Sequence, residues 1–420
     1  MNIPATPARP LSGRLTLRSV SGPEDIARVA AFDALIHGPG NEGTWRAWMT
    51  DHPHAAPNGW LLVEEDTSRR VVASLCLLPW RLRYEGLEIV SGEMGVVGTL
   101  EEYRGRGVQR ALNQRFDELL RAGGFHLSHI QGIPYFYRQF GYEYAAPLEA
   151  WWRLELHMVP AERAGGYACR PVTDADIPAL TRLYDEAGAA LGLSAPRDEA
   201  IWRYALGPQL HTETAAETWV VTDAAGEVRG SFRVARLGFG EGLIVAEASQ
   251  LSAESALAAL VTIRKLALER GKPFIRLNLP AVSPLVTAAR SLGAHGGSAY
   301  GWQVRVPDPA HLLRAIAPAL ERRVGAGMFA GLTRTLTINL YRTVVELRFV
   351  EGRLVSVETL PGGAWGDLRL PPQLVAPLVL GHRSLDEMAV MYPDASADGQ
   401  ARALVDVLFP KMNSWLYQQY

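Results

Sequence analysis

Residues 15–20 alternate apolar and polar side chains, the period of a strand with one buried face. Residues 23–32 switch to helical spacing, with Ser21 or Gly22 available as a cap. Residues 60–63 and 71–78 read as apolar strands around the polar turn 65–70. Short strands at 81–84 and 87–90 flank a Glu85-Gly86 turn, and 94–99 forms another. Along 107–122, Val108, Leu112, Phe116, Leu119 and Leu120 share one helix face, which Gly123-Gly124 closes. Residues up to about Pro10 predict a loosely attached tail.

A second unit begins near Tyr167. Residues 174–191 predict a helix behind Thr173, and 219–222 with 228–237 a hairpin around Ala225-Gly226. A helix at 252–270, a strand at 274–279 and a helix at 285–292 follow. The order strand, strand, helix, strand, helix repeats that of the first unit, an internal duplication at the level of fold. Residues 307–309, Pro-Asp-Pro, predict a linker. Beyond it come a helix at 311–323, strands at 336–341, 343–350 and 353–358, and short helices at 372–380 and 385–391. That last unit is a small α+β domain.

At 420 residues the chain exceeds one core and fits two or three domains. Lys+Arg 42 against Asp+Glu 44 leaves a formal charge of -2, which offers nucleic acid no electrostatic footprint. Two cysteines, Cys76 and Cys169, allow one disulfide but neither a disulfide framework nor a zinc site. The first 17 residues lack a signal-peptide apolar core, and no run approaches the roughly 18 apolar residues of a membrane helix. The expectation is a cytoplasmic protein without metal, nucleic-acid or membrane partner.

The densest chemistry lies in residues 93–112, E-M-G-V-V-G-T-L-E-E-Y-R-G-R-G-V-Q-R-A-L. A strand runs into a glycine-containing loop that opens a helix, whose N–H groups and dipole suit an anion. Gly105 and Gly107 let the backbone approach phosphate oxygens, and Arg104 and Arg106 add positive charge. The third glycine of a dinucleotide fingerprint and the G-K-[ST] of a P-loop are both missing.

Residues 131–142, Q-G-I-P-Y-F-Y-R-Q-F-G-Y, complete the pattern. Loop and segment together resemble the GNAT acetyltransferase superfamily. There the arginine–glycine loop holds the coenzyme A pyrophosphate and a tyrosine in Y-x-x-F-G-[YF] stands beside its sulfur. Tyr137 matches that tyrosine. Gln109 replaces the glycine or alanine that usually closes the loop. Residues 370–385, L-P-P-Q-L-V-A-P-L-V-L-G-H-R-S-L, and L-F-P from Leu408 extend the resemblance to the enhanced intracellular survival (Eis) family. That resemblance covers nearly the whole chain. It implies two GNAT acyltransferase folds in tandem, at 1–155 and 156–306, then a sterol-carrier-protein-like α+β domain at 307–420. It also implies acetyl-CoA as co-substrate, acetylation of amines such as aminoglycosides, and a hexamer.

Carried over residue by residue, coenzyme A would touch Val96, Val97 and Gly98, then Arg104, Gly105, Arg106, Gly107, Val108 and Gln109, then Gly132 and Ile133. Main-chain N–H groups near Val96 and Val97 would hold the oxyanion. Tyr137 would protonate the departing thiolate. The resemblance gives the base to a C-terminal carboxylate, here on Tyr420. Glu93, on the strand where other GNAT enzymes place a glutamate, competes for that role, as does water. Asp33, Glu42, Trp45 and Trp48 are the candidates for a cationic acceptor. The second unit reads Q-L-S-A-E-S-A-L-A-A at 250–259, without a phosphate-admitting glycine, so one cofactor site per chain is expected. Acceptors range from aminoglycoside-like polyamines to peptide lysine or N-terminal amines. A different class is a catalytically silent lipid-binding protein built on the last domain.

Overall fold

The computed structural model describes residues 3–162, 165–238, 240–297, 299–363 and 366–420. Three sheets organise them. The first runs Arg9–Leu11, Leu15–Ser19, Trp60–Glu65, Val71–Tyr84, Leu87–Thr99, Leu127–Ile130, Tyr300–Arg305, Glu143–Glu149, with Leu193–Ser194 added to Val71–Tyr84. Val71–Tyr84 and Leu87–Thr99 have 14 and 13 residues, merging four of the predicted short strands into one long hairpin. Its turn is Glu85-Gly86, both at positive φ (44° and 85°), which matches the twist of paired strands. The strands stay long because residues 71–80 are buried throughout. Helices Gly22–His37 and Val108–Ala122 pack on them.

The second sheet runs His295–Gly296, Trp152–Glu155, Phe274–Leu277, Leu243–Ala248, Val228–Ala235, Ala216–Thr222, Ala168–Pro171. The two sheets exchange strands. Trp152–Glu155 leaves the first half of the chain to pair with Phe274–Leu277. Tyr300–Arg305 returns from the second half and lies between Leu127–Ile130 and Glu143–Glu149. The third sheet runs Arg353–Pro361, Thr343–Val350, Arg334–Asn339, Leu368–Arg369, Ser396–Ala397. Its apolar face shares one continuous core with the first sheet.

Several expectations change. The N-terminal segment is docked: Thr6 exchanges hydrogen bonds with Ser19, Ile3 is buried, and Arg9–Leu11 pairs with Leu15–Ser19. The Pro-Asp-Pro segment is a helix start, because Asp308 caps Pro309–Ala315 through the His311 N–H. Pro318 then splits the predicted helix, and a second one runs Ala317–Gly325. Cys76 is buried in the first core, Cys169 lies in the second sheet, and both thiols are free. Helices Glu42–Thr50, Glu199–Leu206 and Gly399–Leu408 were not predicted.

After Gly399–Leu408 the chain threads back between the first two sheets. Gly192 N–H donates to the Asn413 carbonyl (2.8 Å), and Trp415 N–H to the Leu193 carbonyl (2.9 Å). Trp415 and Tyr417 pack into the second core, while Leu416 and Tyr420 pack into the first. No described helix is long and apolar enough to cross a membrane.

Candidate active site

The strand Leu87–Thr99 carries most of the site. The pairing of Val71–Tyr84 with it skips register between Ser74 and Cys76, so Leu87–Thr99 holds one extra residue there. Val96 sits in this bulge at φ 49°, a strained conformation for a β-branched side chain and one that concentrates at functional sites. Val97 and Gly98 follow. Gly98 has a packing reason of its own: a Cβ would come within 3.1–3.2 Å of Ile36 and Phe32 on the first helix.

Beyond the strand, the turn Glu101–Tyr103 leads into Arg104–Gln109. Gly105 and Gly107 lie at φ 72° and 79°, and a Cβ on either would meet nothing within 4 Å. Gly107 precedes helix Val108–Ala122 with no side chain capping the first turn, so its N–H groups stay free. The equivalent helix of the second half, Ala253–Glu269, is capped by Ser252, which accepts from Ser255 N–H. Arg104 and Arg106 are exposed, and Arg106 lies over the Tyr103 ring at 5.0 Å. Gln109 is no mere replacement for a small residue. Its Nε2 donates to the Gly98 carbonyl (2.9 Å) and Thr99 Oγ1 (2.7 Å), tying helix to strand.

Tyr137 is buried in the short turn Phe136–Phe140, and its ring lies on Gly132, where a Cβ would overlap it. Tyr300 and Gln303, both from the exchanged strand, donate to the Gly132 carbonyl, Gln303 at 2.9 Å. Burial pushes the Tyr137 phenol above its ordinary value, so it stays protonated at neutral pH. Ile133 is 64% exposed beside it.

Glu93 is buried. Its Oε1 accepts from the Tyr420 hydroxyl at 2.6 Å, and its Oε2 has no partner. Burial pushes its carboxyl up to about 8. His129 Nε2, 3.9 Å from Oε2, is also unpartnered, and its Nδ1 lies 2.7 Å from Ser91 Oγ. Burial holds His129 down at about 3, so this ring is neutral near pH 7. The phenol of Tyr420 faces Glu93. Its main-chain oxygen instead accepts from Gln209 Nε2 at 2.5 Å, and Gln209 leans on Arg233 (2.7 Å). Arg197 holds the Gln418 carbonyl (2.7 Å), and Arg197 and Arg233 share Glu247.

A cavity of about 330 Å³ opens beside this group. Trp48, Trp80 and Tyr420 form aromatic walls, with His52 and Leu78 between them. Of the four expected acceptor residues only Trp48 lines it. Trp45 is buried behind, edge-on to Trp48 at 5.0 Å. Glu42 is exposed at the start of its helix. Asp33 is fully buried under the sheet and takes the Ser74 hydroxyl; burial raises its carboxyl well above the usual range. The charged wall comes from residues that spacing did not single out: Arg81, Arg83 and Glu88 on the long hairpin, and Asp198 from the second half. Asp198 caps Glu199–Leu206 through Ile201 N–H, so a turn-forming Asp in sequence is also a pocket residue. Among the described residues no group of His, Cys, Asp and Glu is placed to hold a metal.

The family model for an acetyltransferase (GNAT) domain matches residues 25–145, the stretch that holds bulge, cradle and Tyr137. Solved structures share the fold over the whole chain. A GCN5-related N-acetyltransferase from Anabaena variabilis gives a TM-score of 0.71 at 18% identity, covering 96% of this chain and 99% of that one. One from Kribbella flavida gives 0.69 at 17%, covering 97% and 98%. Eis1 from Mycobacterium abscessus gives 0.63 at 15%, covering 97% and 100%. No curated protein matches the sequence at a significant level. The chain carries a GNAT acetyltransferase domain in a fold it shares with Eis1, and it is an acyltransferase.

Proposed function

We propose that the protein transfers the acetyl group of acetyl-CoA to a primary amine held in the 330 Å³ cavity. The observation that carries this is the order of parts along one strand. Glu93, the Val96 bulge and the arginine–glycine cradle follow each other, with Glu93 three residues, about 10 Å, from the bulge. A pyrophosphate on the Gly105–Gln109 amides would run its pantetheine back along Val96, Val97 and Gly98 toward Glu93. The amine attacks the thioester carbonyl, main-chain N–H at Val96 or Val97 holds the oxyanion, and Tyr137 protonates the leaving sulfur. Glu93 takes the amine proton. Its poise at about 8 and its place beside the cavity wall favour it over the Tyr420 main-chain end, which is engaged by Gln209.

The cavity also bears on the acceptor. Arg81, Arg83, Glu88 and Asp198 all line it, Arg83 being paired with Asp185 at 3.3 Å, so its net charge is small while its walls are aromatic. That favours an amine of low charge with an apolar or aromatic body over an aminoglycoside-like polyamine. A peptide amine fits the same walls. The 307–420 segment is assigned as sterol-carrier-like. Its apolar recess around Leu340, Leu370 and Phe409 has about 10 Å³, room for at most one water, which disfavours lipid carriage as the main activity.

Calorimetry with acetyl-CoA, followed by thiol release across an amine panel, tests the reading. Binding and amine-dependent release are expected. Tyr137→Phe should keep its acetyl-CoA affinity and lose about 10²-fold in kcat. No heat with acetyl-CoA overturns the reading.

A further inference from the structure

Glu93 does not line the cavity, but Tyr420 does. The carboxylate assigned as base therefore meets the acceptor only through a phenol. We propose that the Tyr420 hydroxyl relays the acceptor's proton from the cavity to Glu93. The proposal rests on the acetyltransferase reading and specifies how its base is reached.

The geometry is that of a one-step relay. Tyr420 donates to Glu93 Oε1 at 2.6 Å and accepts from Gln131 Nε2 at 3.1 Å. A hydroxyl oxygen has a second acceptor position, which is left for an ammonium or amine N–H. The ring is fixed by Trp48 at 4.1 Å and Trp80 at 5.8 Å, both cavity walls. The main chain behind it is fixed by Gln209 and, two residues earlier, by Arg197. Glu93 Oε2 is left without a hydrogen-bond partner, and the carboxyl meets the phenol through Oε1, with Trp80 as its other side-chain neighbour. Burial raises the Tyr420 phenol well above its usual value, so its proton leaves only as another arrives.

The amine nitrogen bonds to the thioester carbon, and the tetrahedral adduct carries a positive N–H. That proton passes to the Tyr420 oxygen while the Tyr420 proton passes to Glu93 Oε1. The C–S bond then breaks, and Tyr137 gives its proton to the sulfur. Glu93 releases its proton to solvent and Tyr137 regains one. The sum is amine plus thioester giving amide plus thiol.

The test uses the full chain with an alkylamine acceptor and a weakly basic one, whose adduct gives up its proton without help. Tyr420→Phe keeps the ring between the tryptophans and removes only the hydroxyl. With the alkylamine, kcat/KM should fall about 10²-fold, with acetyl-CoA affinity unchanged, and the loss should shrink with the weakly basic acceptor. Glu93→Gln should lose the same factor, and the double variant no more than either alone. Should Tyr420→Phe lose acetyl-CoA affinity as well, Glu93→Gln across the two acceptors decides by the same criterion. The relay is overturned if Tyr420→Phe stays within about twofold of wild type, if both acceptors lose equally, or if the two losses multiply. Absence of thiol release from the wild type would instead remove the acetyltransferase reading itself.

Discussion

Glu93 sets two opposite pH dependences. Its folded value, about 8, lies above the ordinary 4.5, because burial penalises the charged form more than the hydrogen bonds from Tyr420 and Trp80 restore it. As pH rises, the unfolded chain gives up this proton first. The stability linked to the neutral carboxyl is therefore complete below 4.5 and lost as pH climbs through about 8. With Glu93 as the proposed base, activity runs the other way, since only the ionised group accepts a proton, so kcat/KM should rise with pH and level off above about 8. The facing groups do not blur this window. Cys76 and Tyr420 are pushed up by burial and stay protonated, and His129 is already neutral. Glu93→Gln should flatten the rate profile at about 10²-fold lower activity. Its melting temperature should also fall less than that of wild type between about pH 5 and about pH 8. Parallel melting curves for the two proteins would contradict the assignment. Glu93 and Tyr137 could be proposed from sequence because one stands on the strand before the cradle and the other in the short motif after it. Asp198 and Arg81 were not, because residues from two strands and a distant cap meet only after folding.

Within elements, the strand–loop–helix unit shows what a sequence pattern can and cannot carry. Gly105 and Gly107 were read as backbone that must approach an anion, and both have the left-handed φ that such a loop uses. Gly98 carried no such signal. Its missing Cβ is explained by Phe32 and Ile36 pressing on the strand, a contact between residues 62 and 66 positions apart in the chain. The bulge at Val96 was invisible, since alternation cannot reveal a one-residue insertion paired against Ser74 and Cys76. Gln109 broke the expected loop ending, and its two bonds back to Gly98 and Thr99 show what it adds: a tether in place of a small residue. Gly107→Ala separates these roles. A Cβ there meets no neighbour within 4 Å, so the fold cost is the left-handed strain alone, about 1 kcal/mol. The methyl group stands where phosphate oxygens would approach. Acetyl-CoA affinity should fall by about tenfold, roughly 1.4 kcal/mol, with a melting temperature lowered by only a few degrees. An affinity equal to wild type would place the pyrophosphate elsewhere.

At the scale of the molecule, the duplication was visible in the order of elements, but the exchange between copies was not. The expected bounds put residues 152–155 in the first unit and 300–305 in the second, and local pattern cannot say which sheet a strand joins. The exchange matters for the site. Tyr300 and Gln303 hold the Gly132 carbonyl under Tyr137, so the second half of the chain positions the residue proposed as acid in the first. Trp302 and Val304 on the same strand are fully buried in the first core. Removing that strand exposes two sheet edges, Leu127–Ile130 and Glu143–Glu149, and empties a tryptophan-sized volume. Losing the tryptophan alone costs about 3–5 kcal/mol, a large part of the 5–15 kcal/mol that typically holds a domain together. A fragment spanning 1–155 should therefore show no cooperative urea transition and no heat with acetyl-CoA. Co-expressed with 156–420, which returns the strand together with Tyr420, it should yield a soluble complex that binds acetyl-CoA. If the fragment unfolds cooperatively by itself and binds the cofactor, the exchanged strand is dispensable, and the dependence of Tyr137 on the second half of the chain is wrong.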